Sequence, residues 1–144
     1  MAVKQISVFL ENKSGRLLDV TRNLRETGIN IRALCVADTC DYGVVRLIVD
    51  DPNKALDELK ARGFTAKETD VLAVEVDDRP GGLCEVIKPL VEQEINIEYV
   101  YCFLGKAVGG GAIVIIRVAE VSRAVGALKV AGFRVIPAEE LYSM

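Results

Sequence analysis

Two stretches of this chain hold polar residues at a spacing suited to a small charged ligand. Asn12-Lys13-Ser14-Gly15-Arg16-Leu17 joins an alternating apolar run to an amphipathic one. Asp78-Arg79-Pro80-Gly81-Gly82-Leu83 does the same 66 positions later, counted from Gly15 to Gly81. The N–H groups that open a helix have no intrahelical acceptor and carry partial positive charge, and glycine lets a ligand approach the backbone closely, so such a loop suits an anion. A second pair of matching residues lies further along, Asn30-Ile31 and Asn96-Ile97, again 66 apart. A side-chain amide can both donate to and accept from a charged ligand. Each feature taken singly has a plainer reading, the loop as a turn and the asparagine as a local turn bond. Their joint recurrence favours binding.

Other chemistries fare worse. The chain has 144 residues and no histidine, which removes the commonest general base and metal ligand. Its acidic residues form no pair singled out for acid–base work, so no catalytic residue, metal ligand or cofactor site is expected. Cys35, Cys40, Cys84 and Cys102 lack metal or redox spacing and read as small apolar residues. Gly109-Gly110-Gly111 lacks the Lys-Ser/Thr of a phosphate-binding loop and reads as a hairpin. Tyr99, Tyr101 and Phe103 share a strand face and read as core or pocket wall rather than a base-stacking platform. A net charge of −3 without a basic run gives no electrostatic reason to bind nucleic acid. Hydrophobic residues make up 51%, yet no apolar run approaches the ~20 needed to span a bilayer. Met1 to Gln5 lacks the apolar core of a signal peptide, and the cysteine usage fits reduced thiols, so the expected location is the cytoplasm.

The elements that must position these residues follow from periodicity. Val3 to Leu10 alternates as a strand, and Leu17, Val20, Thr21 and Leu24 then mark a helix that Gly28 ends. Strands follow over 29–36 and 44–49, joined by a hairpin over 38–43. Asp51 caps a second helix with Pro52 at its first position, Gly63 stops it, and a strand runs from Phe64 to about Glu68. The same β-α-β-β-α-β order returns as strand 72–76, helix from Gly81, strands 95–103 and 112–118, helix 121–131 and strand 133–136. Pro89 and Gly126 weaken the two later helices.

This order defines an α+β fold of two ferredoxin-like βαββαβ units, 1–70 and 71–144, with helices on one face. The second strand of each unit is an edge. Pairing the two second strands would join the units side by side in a continuous antiparallel sheet of about eight strands. In that arrangement the loop at Asn12 faces Asn96, and the loop at Asp78 faces Asn30. The helix-free sheet faces are expected to show Phe9, Leu34 and Val36 in one unit and Val100, Cys102, Ile113 and Ile115 in the other, enough apolar surface to predict a homodimer or larger assembly.

On the two loops, Gly28-Ile29-Asn30-Ile31 and Ile95-Asn96-Ile97, the whole chain resembles two tandem ACT domains, small modules that bind amino acids and regulate metabolic enzymes. The resemblance implies a non-catalytic sensor holding a free amino acid at the interface between units, with a metabolic enzyme as partner. The ligand residues it implies are Asn12, Ser14, Gly15, Asn30 and Ile31, with Asp78, Gly81, Gly82, Asn96 and Ile97. Asp78 stands where the pattern has Asn, and Glu94 where Gly28 stands in the first unit. The pockets should therefore bind unequally, the tighter one formed by Asn12, Ser14 and Gly15 with Asn96-Ile97. Tyr42, Tyr99 and Tyr101 favour a larger ligand side chain. The alternatives are a structural or partner-docking protein whose pockets are vestigial, and a small enzyme on the same fold.

Overall fold

The computed structural model describes residues 2–11, 13–38, 42–105, 107 and 109–144. The elements are β1 (Val3–Glu11), α1 (Arg16–Glu26), β2 (Ile31–Asp38), β3 (Tyr42–Val49), α2 (Pro52–Ala61), β4 (Thr65–Val76), α3 (Gly82–Glu92), β5 (Ile97–Cys102), β6 (Ala112–Val118), α4 (Val121–Val130) and α5 (Ala138–Ser143). The chain divides into a first unit, Lys4–Thr69, and a second, Asp70–Met144 with the N-terminal residues to Val3.

Both units are built by the same rule. The apolar stripes of two helices cover one face of antiparallel strands. In the first unit Val20, Leu24, Ala55 and Leu59 pack on Ile6, Val8, Val45 and Leu47. In the second, Val86, Leu90, Ala124 and Leu128 pack on Leu72, Val74, Val114 and Ile116. Each of these four helices ends alike. The N–H of the first apolar residue after the helix reaches back to a buried leucine carbonyl: Ile29 to Leu24 (2.9 Å), Phe64 to Leu59 (3.0 Å), Ile95 to Leu90 (2.8 Å) and Phe133 to Leu128 (3.0 Å). The residue between is left-handed, glycine in three cases and Glu94 (φ 56°) in the fourth. Pro89 lies inside α3 without ending it.

The strand count differs from expectation. Among the described residues six strands form, in the order β2-β3-β1-β4-β6-β5. The strands expected at 64–68 and 72–76 are one strand, β4, because the alternation runs unbroken through Thr69-Asp70 and nothing there forces a turn. The strand expected at 133–136 is reduced to one bridge, Val74 to Val135, held by Glu75 N–H to Arg134 O (2.9 Å) and Ile136 N–H to Ala73 O (2.8 Å). Pro137 then turns the chain into α5, an element the periodicity did not show because six residues are too few to display a stripe. The expected pairing of the second strands is also absent: β2 and β5 are the two edges of the order.

A bulge at the same place in each repeat corrects the faces. The register shifts between Ile31 and Ala33 in β2 and between Ile97 and Tyr99 in β5. A one-residue shift moves every following side chain to the other face. Leu34 and Val36 therefore stand opposite Leu47 and Val45, on the helix side, and Val100 and Cys102 stand opposite Ile116 and Val114. Tyr99 and Tyr101 take the helix-free face, opposite Arg117 and Ile115. Ile113 and Ile115 are already buried within the single chain. On the first unit's helix-free face, Gln5 donates to Ser7 (3.0 Å) and Ser7 bonds Thr69 (3.1 Å). Phe9 is the exception, half-exposed with the Lys67 ammonium over its ring. The broad apolar open faces are thus absent, and the exposed apolar residues Leu34, Val36 and Val100 lie on the edge strands. The hairpin turn expected over 38–43 falls largely on residues 39–41, outside the described residues. The glycine run does form a turn, with Gly110 N–H on Ala107 O (2.9 Å).

One core position is imperfect. Asn23 lies between Val20 and Leu24 on the buried side of α1, 3% exposed, and neither its Oδ1 nor its Nδ2 has a partner among the described residues. A buried amide without partners costs about 1–3 kcal/mol. Asn23→Leu should raise unfolding free energy by about that amount, read as a higher urea midpoint with an unchanged slope.

Candidate half-sites for a small ligand

The two glycine loops share one backbone. Gly15 (φ 90°) and Gly81 (φ 86°) are left-handed and immediately precede α1 and α3. In each loop an N–H returns to the carbonyl two residues back, Lys13 to Glu11 and Arg79 to Asp77, both at 2.9 Å. Neither glycine has a side chain to cap the helix. Among the described residues, no side-chain cap meets the N–H groups at the start of α1 or α3. Gly82 is fixed for another reason: a Cβ there would lie 2.0 Å from the Asp77 carbonyl oxygen.

The side chains around the loops differ. In the first, Lys13 pairs with Glu11 (3.0 Å), which holds the Glu11 carboxyl below its ordinary pKa. Arg16 lies 3.5 Å from Asp19. In the second, Arg79 grips both oxygens of Glu85 (3.0 and 2.8 Å) and lies 3.5 Å from Asp77, and these hydrogen bonds and charges raise its pKa. The fork ties the loop to the first turn of α3. Asp78 is exposed, and the partners of Arg79 are Asp77 and Glu85 instead. Asn12 lies outside the described residues.

The strand starts differ as well. Asn30 and Asn96 are exposed, and the isoleucine after each is half-buried. The Asn30 N–H donates to Asp50 Oδ1 (3.0 Å), and the Asp50 N–H returns to the Asn30 carbonyl (3.1 Å). In the second unit Ala119 occupies the place of Asp50 and offers no side-chain acceptor. Asp51, which caps α2 by accepting from Lys54 N–H (3.1 Å), is matched by Glu120, which makes no side-chain cap. The result is an open cleft of about 420 Å³ lined by Glu94, Asn96, Glu98, Ala119, Glu120 and Arg123. These neighbours were not singled out in the sequence, although aligning the repeats by their second helices, 69 apart, sets Ala119 against Asp50.

Within a unit, the loop and the strand start are not brought together. They flank an eleven-residue helix, about 16 Å long. Each unit thus carries two half-sites at opposite ends of its first helix. Among the described residues no group of histidine, cysteine, aspartate or glutamate is arranged to hold a metal ion, and no helix is long and apolar enough to cross a membrane.

Two tandem ferredoxin-type units with matched glycine loops define a class of paired α+β modules. The chain belongs to the ACT domain pair family, whose model matches residues 1–144. It is similar over its full length to protein BT0572 from Bacteroides thetaiotaomicron, at 40% identity and TM-score 0.92, covering 98% of that chain. It shares its fold with the regulatory subunit of aspartate kinase from Thermus thermophilus, at 19% identity and TM-score 0.65, covering 92% of this chain and 94% of that one. A C-terminal regulatory domain of aspartate kinase from Porphyromonas gingivalis superposes at 12% identity and TM-score 0.52, covering 91% and 94%. No curated protein sequence matches significantly.

Two outcomes test the loop geometry. Gly82→Ala should cost about 1–3 kcal/mol of stability, since the clash is with backbone. Lys13→Ala should raise the Glu11 pKa towards the ordinary carboxylate range, followed by carboxyl NMR. Glu11 is fully exposed, so the pH dependence of unfolding should change little.

Proposed function

We propose that this chain is a non-catalytic, amino-acid-sensing regulatory module of the cytoplasm. It binds a free amino acid where a glycine loop of one kind of unit meets a strand start of the other, and it acts on a separate metabolic enzyme. The observation that carries this reading is the pair of half-sites at opposite ends of each first helix. One offers helix-start N–H groups and the other an exposed asparagine with its backbone N–H, so that together they supply donors for the carboxylate and an acceptor for the ammonium of a zwitterion. The family supports it, and so does the fold shared with proteins described as regulatory subunits of aspartate kinase. The ligand residues are Asn12, Ser14 and Gly15 with Asn96 and Ile97, and in the related pocket Asp78, Gly81 and Gly82 with Asn30 and Ile31.

A homodimer fits this reading. Among the described residues no strand pairs with the outer edge of β2 or β5, and Leu34, Val36 and Val100 lie exposed on these strands, 39%, 52% and 38% respectively. An exposed apolar edge strand is a ready pairing surface. Light scattering at micromolar concentration should show a dimer that Leu34→Lys weakens without unfolding the chain, and a monomeric wild type would refute the pairing.

Calorimetry against the twenty amino acids tests the sensor itself. Saturable, stereospecific binding is expected, and Asn12→Ala should cost about 1–3 kcal/mol, roughly five- to 150-fold in affinity. Silence across the set would favour the docking-protein reading instead.

A further inference from the structure

We infer that each chain has one working amino-acid site, the one that uses the Asn96 strand start. Ala119 keeps this site open, while Asp50 occupies the related position at Asn30. The inference rests on the amino-acid-sensing reading and adds stoichiometry, a specificity residue and a ligand charge class. At Asn30 the backbone N–H that would meet a ligand carboxylate is already held by Asp50 at 3.0 Å, and the Asp50 carboxylate would repel a second one. At Asn96 the same position faces Ala119 and a cleft of about 420 Å³.

The cleft's lining sets the chemistry of its ligand. Three carboxylates, Glu94, Glu98 and Glu120, stand against one lining guanidinium, Arg123. Glu98 is paired with Arg117 (3.3 Å), and Arg123 lies 3.8 Å from Glu120 while donating to the Gln93 carbonyl. Glu94 has no ion pair among the described residues. A bound amino acid places its carboxylate on the Asn96 N–H and its ammonium towards Glu94 and Glu120. A side chain bearing a further carboxylate is repelled, whereas neutral and basic side chains are accepted.

The test is calorimetry of the full chain with each of the twenty amino acids, followed by the same titration of two variants with the tightest-binding one. The expected result is one site per chain, filled by a neutral or basic amino acid. Ala119→Asp should weaken it at least about tenfold, since it recreates the seal seen at Asn30. Its thermal unfolding should match wild type, because the first unit already tolerates aspartate at this position. Asp50→Ala should leave the affinity within about twofold. Two equal sites per chain, an acidic amino acid as the tightest binder, an Ala119→Asp protein that binds as wild type, or lost binding in Asp50→Ala would each overturn the inference and leave the sensor reading standing. A chain that binds none of the twenty would overturn both.

Discussion

The way each helix is stopped fixes everything around the ligand positions. The Ile29 and Ile95 N–H groups return to the carbonyls of Leu24 and Leu90, whose side chains are fully buried. Each isoleucine is drawn into the core at that point, and the chain leaves the helix in one direction. The asparagine that follows must face outwards. Its exposure is thus a consequence of core packing, and the fold supplies a polar side chain and a free strand end where an extended chain begins. The constraint is strong enough to hold Glu94 at φ 56°, where an L side chain costs about 1–2 kcal/mol.

On this shared frame the two units have diverged in their polar residues while keeping their apolar ones. The leucines at the helix ends, the left-handed glycine before each first helix and the bulge in each second strand are retained. Asp50 against Ala119, Asp51 against Glu120 and Lys13 against Arg79 are not. Apolar positions answer to dense packing, where a change of volume is costly, whereas exposed polar positions are free to vary. Differences between the units therefore concentrate at the places a ligand would touch. The family and the fold say what kind of module this is, and these few positions are where the copies differ.

The sequence alone determined the repeat, the order of the elements from β1 to α4 apart from the fusion in β4, the Asp51 cap and the glycines at the helix boundaries. Each is set within a few residues: Asp51 caps α2 because its carboxylate lies three residues from the Lys54 N–H, and Gly15 is left-handed because the turn before α1 demands it. The tertiary structure decided the rest. The fusion of two strands into β4, the faces of Leu34 and Tyr101, the burial of Ile113 and Ile115, and the bond from Asn30 to Asp50 all depend on what lies opposite in space. Alternation along a strand shows which residues share a face, but a single bulge reverses the assignment, and nothing local marks where the partner strand will shift. The hydrogen bond that distinguishes Asn30 from Asn96 joins residues 20 apart in sequence. It became visible only when the chain had brought them to the same end of the sheet.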